Sequence, residues 1–89
     1  MTNAQVTAIN VGTSDSSHTD FNPVVNRVFI TNVGTDNCYI NLNAAATTGH
    51  LKLYTGQTRV FGIRTITDVH AICDTGEATT LKITGVIQW

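Results

Sequence analysis

Along most of this chain apolar and polar residues alternate with a period of two, and Gly, Asn, Asp and Thr clusters interrupt the alternation. Successive side chains on a strand point to opposite faces, so this rhythm describes strands that bury one face and wet the other. "QVTAINV" (5–11) puts Ile9 and Val11 on one face. "VVNRVFITN" (24–32) is the longest β-branched run, and "CYINL" (38–42) sets Cys38, Ile40 and Leu42 against Tyr39 and Asn41. "LKLY" (51–54) and "TRVFGI" (58–63) flank a turn at "TGQ", where Gly56 supplies a positive φ. "VHAIC" (69–73) follows a turn at "TITD". "ATTLKITGVIQW" (78–89) places Leu81, Ile83, Ile87 and Trp89 together. "SDSSHTD" (14–20) reads as a polar loop, and "VGTDN" (33–37) as a turn. In "NAAATTGH" (43–50) Asn43 can cap at most one helical turn before Thr47, Thr48 and Gly49 end it. The expectation is an all-β fold. It is a single antiparallel β-sandwich, of jelly-roll type, with about seven or eight short strands at roughly 8–12-residue spacing.

Eighty-nine residues make one domain, 1–89. Such a chain buries only about 60–65% of its unfolded surface, and small domains often gain stability from a disulfide, a metal or a partner subunit. Charged residues are 12% of the chain, about half the usual share, and sixteen Thr and eight Asn take the polar positions. The net charge is −1, and the five basic residues Arg27, Lys52, Arg59, Arg64 and Lys82 are scattered. Phosphate backbones are held by clustered cations, so direct nucleic-acid binding is not expected. No apolar run approaches the length of a membrane span, and "MTNAQVTAIN" lacks the pattern of a secretory signal. Cys38 and Cys73 are too few for a disulfide framework. They can form one bridge or sit apart as small core residues; without a signal for an oxidising compartment, the second is the expectation.

One stretch raises the question of chemistry. "VHAICDTG" (69–76) holds His70, Cys73 and Asp74 within five positions. On a strand, however, His70 falls with Ile72 and Cys73 with Val69 and Ala71, on opposite faces, while Asp74 opens a turn. A thiol and its base must lie within hydrogen-bond reach, which this spacing denies. His18 sits among polar loop residues with no partner from a second element. No calcium loop, paired-carboxylate cleft or phosphate loop is present. No catalytic, metal or cofactor residue is therefore expected.

Contact area remains. Tyr39, Tyr54 and Trp89 are candidates for a surface that meets another subunit or stacks on sugar. Sheet edges expose unpaired backbone groups that solitary proteins protect with Lys or Pro, and this chain has two Lys and one Pro. Residues 1–12, with Val6, Ile9 and Val11, can either pair within their own sheet or add as a strand to a neighbour.

"VFITNVGTDNCYINLN", "LKLYTGQTRVF" and "VHAICDTGEATTLKI" resemble small structural proteins of tailed-bacteriophage virions. The likeness runs from about residue 28 to 83 and rests on Asn32, Gly34, Tyr39, Ile40, Asn41, Leu53, Gly56, Phe61, Val69, Ala71, Ile72, Gly76, Thr79 and Leu81. Many such proteins carry Pro before the turn glycine, where this chain has Thr55. The resemblance implies a capsid decoration (cement) protein or a small head, neck or tail component. It would be non-enzymatic, assembled in the host cytoplasm, placed on the virion, and oligomeric, often trimeric, against a major capsid or other virion protein. A glycan-binding β-sandwich module is the alternative.

Overall fold

The computed structural model describes residues 2–13 and 17–88, with backbone alone at 2, 3, 17, 18 and 88. Six strands run β1 (Thr2–Val11), β2 (Ser17–Asn32), β3 (Cys38–Leu42), β4 (Leu51–Leu53), β5 (Thr58–Ile72) and β6 (Thr79–Gln88). They form one antiparallel sheet in the order β1-β6-β2-β5-β3-β4. The chain is all-β, as its periodicity predicts.

The strands are fewer and longer than expected. Residues 17–20 belong to β2 rather than to a loop, and "TITD" lies inside β5 rather than at a turn. Both strands stay continuous because each satisfies the other's backbone along most of its length, from Ser17 opposite Ala71 to Thr31 opposite Thr58. Their pairing slips twice, between Asp20 and Val25 and between Val25 and Arg27. Extra residues in one strand bend it and strengthen its twist. Pro23, which has no N–H to give a ladder, lies in the first slip. Beyond the bend β6 pairs with residues 27–32 of β2, and before it β3 pairs with residues 69–72 of β5.

The bend lets one face of the sheet enclose its own core. Val11, Leu81 and Ile83, from the β1–β6 end, share a buried cluster with Cys38, Ile40 and Leu53, from the β3–β4 end. Val25, Val28, Ile30, Ile66, Val69 and Ala71 lie between them. The Cys73 N–H donates to the Gly12 carbonyl at 2.9 Å, tying the end of β5 to the end of β1. Phe21 folds over the opposite part of β6, where its ring would lie 2.5 Å from a Cβ added to Gly85.

The 43–50 segment forms bends and a turn, not a helical turn. Asn43 has φ 64° and is held there from both sides. Its N–H donates to the Asp68 carbonyl, its Nδ2 donates to the Thr65 carbonyl, and its Oδ1 accepts from the Thr67 N–H. Long-range bonds to β5 thus outweigh any local capping. The turns at "TGQ" and "DTG" form as expected, with Gly56 and Gly76 at φ 79° and 84°. Gln57 donates its N–H to the Tyr54 carbonyl, and Glu77 to the Asp74 carbonyl.

Candidate functional site

Three loops meet at one end of the sheet around Asn32, which is fully buried. Its Nδ2 donates to the carbonyls of Asp36 (2.9 Å) and Leu53 (3.2 Å). Its Oδ1 accepts from the Gly34 N–H (3.1 Å) and the Thr79 hydroxyl (2.6 Å). All the hydrogen-bonding capacity of this buried amide is used, which is what makes its burial tolerable. Gly34 is required beside it, since a Cβ there would stand 2.0 Å from Thr79 Oγ1 and 2.5 Å from the Thr80 backbone nitrogen. The Asn-x-Gly pattern is therefore a structural clamp. Thr55 completes it. Its N–H donates to Asn37 Oδ1 at 2.8 Å and its hydroxyl to the Gly34 carbonyl, two bonds a proline could not make.

The residues of "VHAICDTG" separate as the strand period requires. Val69, Ala71 and Cys73 are buried, while His70 and Ile72 lie on the other face. Cys73 faces Cys38 across the β3–β5 ladder, one position beyond the Tyr39–Ile72 pair. Both thiols are free and buried. Burial, with the neighbouring Cys73 thiol adding to it, pushes the Cys38 thiol up to about 12. Burial likewise raises the Cys73 thiol, helped by the charges of Glu77, Asp36 and Asp74. A thiol held protonated is a poor nucleophile and a poor metal ligand.

His70 instead contacts the Asp68 carboxylate, and the Thr67 hydroxyl donates to the same carboxylate at 2.5 Å. In a serine-type triad the imidazole stands between hydroxyl and carboxylate. Here the carboxylate stands between hydroxyl and imidazole, so the histidine is not placed to take the hydroxyl proton. His18, expected in a loop, is in β2 opposite His70, with Asp20 opposite Asp68. Among the described residues no group of three His, Cys, Asp or Glu side chains is arranged to hold a metal.

Of the six residues proposed for contact, the structure offers three outward. Val6 is 64% exposed. Val11 is a core residue and the half-buried Ile9 packs against that core; both fall on the inner parity of β1. Trp89 lies outside the described residues. Tyr39 is half-buried and donates its hydroxyl to Asp74 at 3.1 Å, while Tyr54 is 53% exposed. The Lys52 ammonium lies over both rings, 5.8 Å from Tyr39 and 5.3 Å from Tyr54. A sugar stacking there would have to displace this cation from the ring faces.

A row of apolar exposure lies elsewhere. Val6 pairs with Thr84, Thr84 with Phe29 and Phe29 with Val60, so these four side chains form one row across the outer face of four strands. Phe29 and Val60 are 37% and 52% exposed. The neighbouring outer rows add Ala8, Lys82, Thr31 and Thr58 on one side and Ala4, Arg27 and Gly62 on the other, where Val86 is buried. Both charged residues in these rows are cations. Arg64 joins Arg27 along a shallow recess with Asn26, Gly62 and Ile63. The sequence signal for this surface is the run "VVNRVFITN", which has apolar residues at both parities: Val28 and Ile30 face the core and Phe29 faces out. Apolar residues at both parities mark a strand covered on two sides.

Fold and surface together define an all-β chain of one antiparallel sheet, whose described surface gathers an apolar row with a cationic rim. The sequence matches no family model and no curated protein.

Proposed function

We propose that this chain is a non-enzymatic structural protein of a tailed-phage virion, a decoration (cement) protein that stabilises the head through oligomeric contacts. The curled sheet is then read as a β-sandwich of the jelly-roll kind. β1, β6 and the later part of β2 form one layer; β3, β4 and the later part of β5 form the other. The observation that carries the proposal is the row Val6–Thr84–Phe29–Val60. Exposed apolar side chains on three strands of one row, with Thr84 between them, fit a partner surface. Arg27, Arg64 and Lys82 around it favour a partner whose apolar patch is rimmed by carboxylates, as an exposed face of a major capsid protein can be.

Each copy contributes modest area, and linking copies raises the effective concentration of the rest, so the assembly holds more firmly than one contact would. The resemblance to small virion proteins implies three copies. The same chain could also serve as a small head, neck or tail component, since the contact chemistry would be the same. A glycan-binding role draws less support, because Lys52 already occupies the Tyr39 and Tyr54 ring faces.

Mass measurement of purified virions tests the reading. The chain is expected in a fixed copy number per particle, and added protein should raise the temperature at which chain-depleted heads release DNA. Phe29→Ser with Val60→Ser should abolish particle binding while leaving the circular dichroism spectrum unchanged. Absence from particles, or full binding by the double variant, would refute it.

A further inference from the structure

We infer that the free edge of β1 pairs antiparallel with β1 of a second copy, about a two-fold axis near Val6, joining two sheets into one. This sets two copies where the resemblance implies three, and it rests on the role proposed above only for where the pair is used. β1 stands at the end of the strand order, so its edge away from β6 carries no strand of this chain. Its ten residues pair with β6 in one unbroken register, Thr2 opposite Gln88 through Val11 opposite Thr79. No bulge twists the edge away, and "TNAQVTAINV" contains no charge and no proline.

The other end of the strand order is protected in ways natural sheets use. β4 has three residues with Lys52 at its centre. Where β5 extends beyond β3, it carries Arg59 and Arg64. Only β1 is long, regular and uncharged, the combination that invites another strand.

The strand that fits is β1 itself. A two-fold axis perpendicular to the sheet sets a strand antiparallel to its copy, so the edge can pair with itself in direction. With Val6 at the axis, Val6 meets Val6 of the other copy, and Ala4 meets Ala8. The outward residues Ala4, Val6 and Ala8 are then all small and apolar on both sides, and no like charges oppose one another. Residues of the same parity meet, so the outer faces of both copies point the same way. The row Val60–Phe29–Thr84–Val6 continues into its mirror sequence in the partner. Two such rows on one side can engage one surface at once, which is the multivalency the proposed role needs.

Light scattering coupled to size exclusion, across a concentration series of the full chain, should report a mass of two chains. Hydrogen exchange should show protection along the whole of β1, not only at the amides that face β6. Val6→Lys should shift the mass to one chain, restore exchange at the free-edge amides and keep the folded spectrum, because Val6 is 64% exposed. Val6→Cys should crosslink to itself on mild oxidation. A wild-type monomer with rapidly exchanging β1 amides overturns the inference. So does a trimer, or a dimer that Val6→Lys leaves intact. Pairing of β1 with a different virion protein would appear as protection only on particles, and would also overturn it. A dimer absent from virions refutes the virion role alone.

Discussion

The Thr79 hydroxyl donates to the side-chain oxygen of Asn32 across 47 positions of sequence, with both residues buried. This bond joins the start of β6 to the end of β2 at the place where three loops converge. Replacing Asn32 with Ala leaves two carbonyls, one N–H and one hydroxyl without their partner. The expected loss is about 2–4 kcal/mol in chemical denaturation. Thr79→Val should cost less, about 1–2 kcal/mol, and the double variant should cost less than the sum, because both remove the same bond. Additive losses would show that the two residues act separately.

Two glycines should respond differently to alanine. At Gly34 the added Cβ meets Thr79 Oγ1 and the Thr80 backbone, and backbone cannot step aside without breaking the β1–β6 end. At Gly85 it meets only the Phe21 ring. Gly34→Ala should unfold the chain or cost several kcal/mol, on the order of a buried-network loss. Gly85→Ala should be recovered in part by Phe21→Leu, which shortens the obstructing side chain. Thermal unfolding of the four proteins decides, and recovery of Gly34→Ala by Thr79→Ala alone would contradict the backbone argument.

The cysteines should be silent until the fold opens. Cys38 is held up to about 12 and Cys73 is raised, so a thiol reagent at pH 8 should label neither in the native protein and both in denaturant. The linkage has a definite sign. Thiols in the unfolded chain ionise near 9.0, well below Cys38 in the folded one. Between those values the native state holds more protons, so stability falls as pH rises from about 9 towards 12. Tyr39, raised by desolvation and by its bond to Asp74, adds in the same direction. Cys38→Ala with Cys73→Ala should flatten this alkaline slope in denaturation midpoints, whatever it does to stability at neutral pH.

Thr55→Pro tests why this chain departs from the proline its resemblance would suggest. Proline stiffens the unfolded chain, a gain of about 0.4–1 kcal/mol where the native geometry suits it. Here it would remove the N–H bond to Asn37 and the hydroxyl bond to Gly34. Losing both should win, with a net destabilisation of about 1–2 kcal/mol. Thr55→Val, which keeps the N–H, should fall between. A proline variant as stable as wild type would show that the two bonds together contribute no more than that gain.

Periodicity alone determined that this is an all-β chain. It set which residues share a face on each strand and where "TGQ" and "DTG" turn, because side-chain alternation and turn glycines are local properties of the backbone. It also separated His70 from Cys73, since three positions along a strand always lead to opposite faces. Tertiary structure alone decided the strand count, because β2 and β5 carry each other through polar stretches that read as loops when taken singly. It placed Val11 in the core and Asn32 at a four-bond junction, since burial depends on which distant strands arrive. The row of Val6, Thr84, Phe29 and Val60 comes from four strands far apart in sequence. Only the order and register of the strands bring them side by side, and register is set by non-local hydrogen bonds that no short window of residues contains.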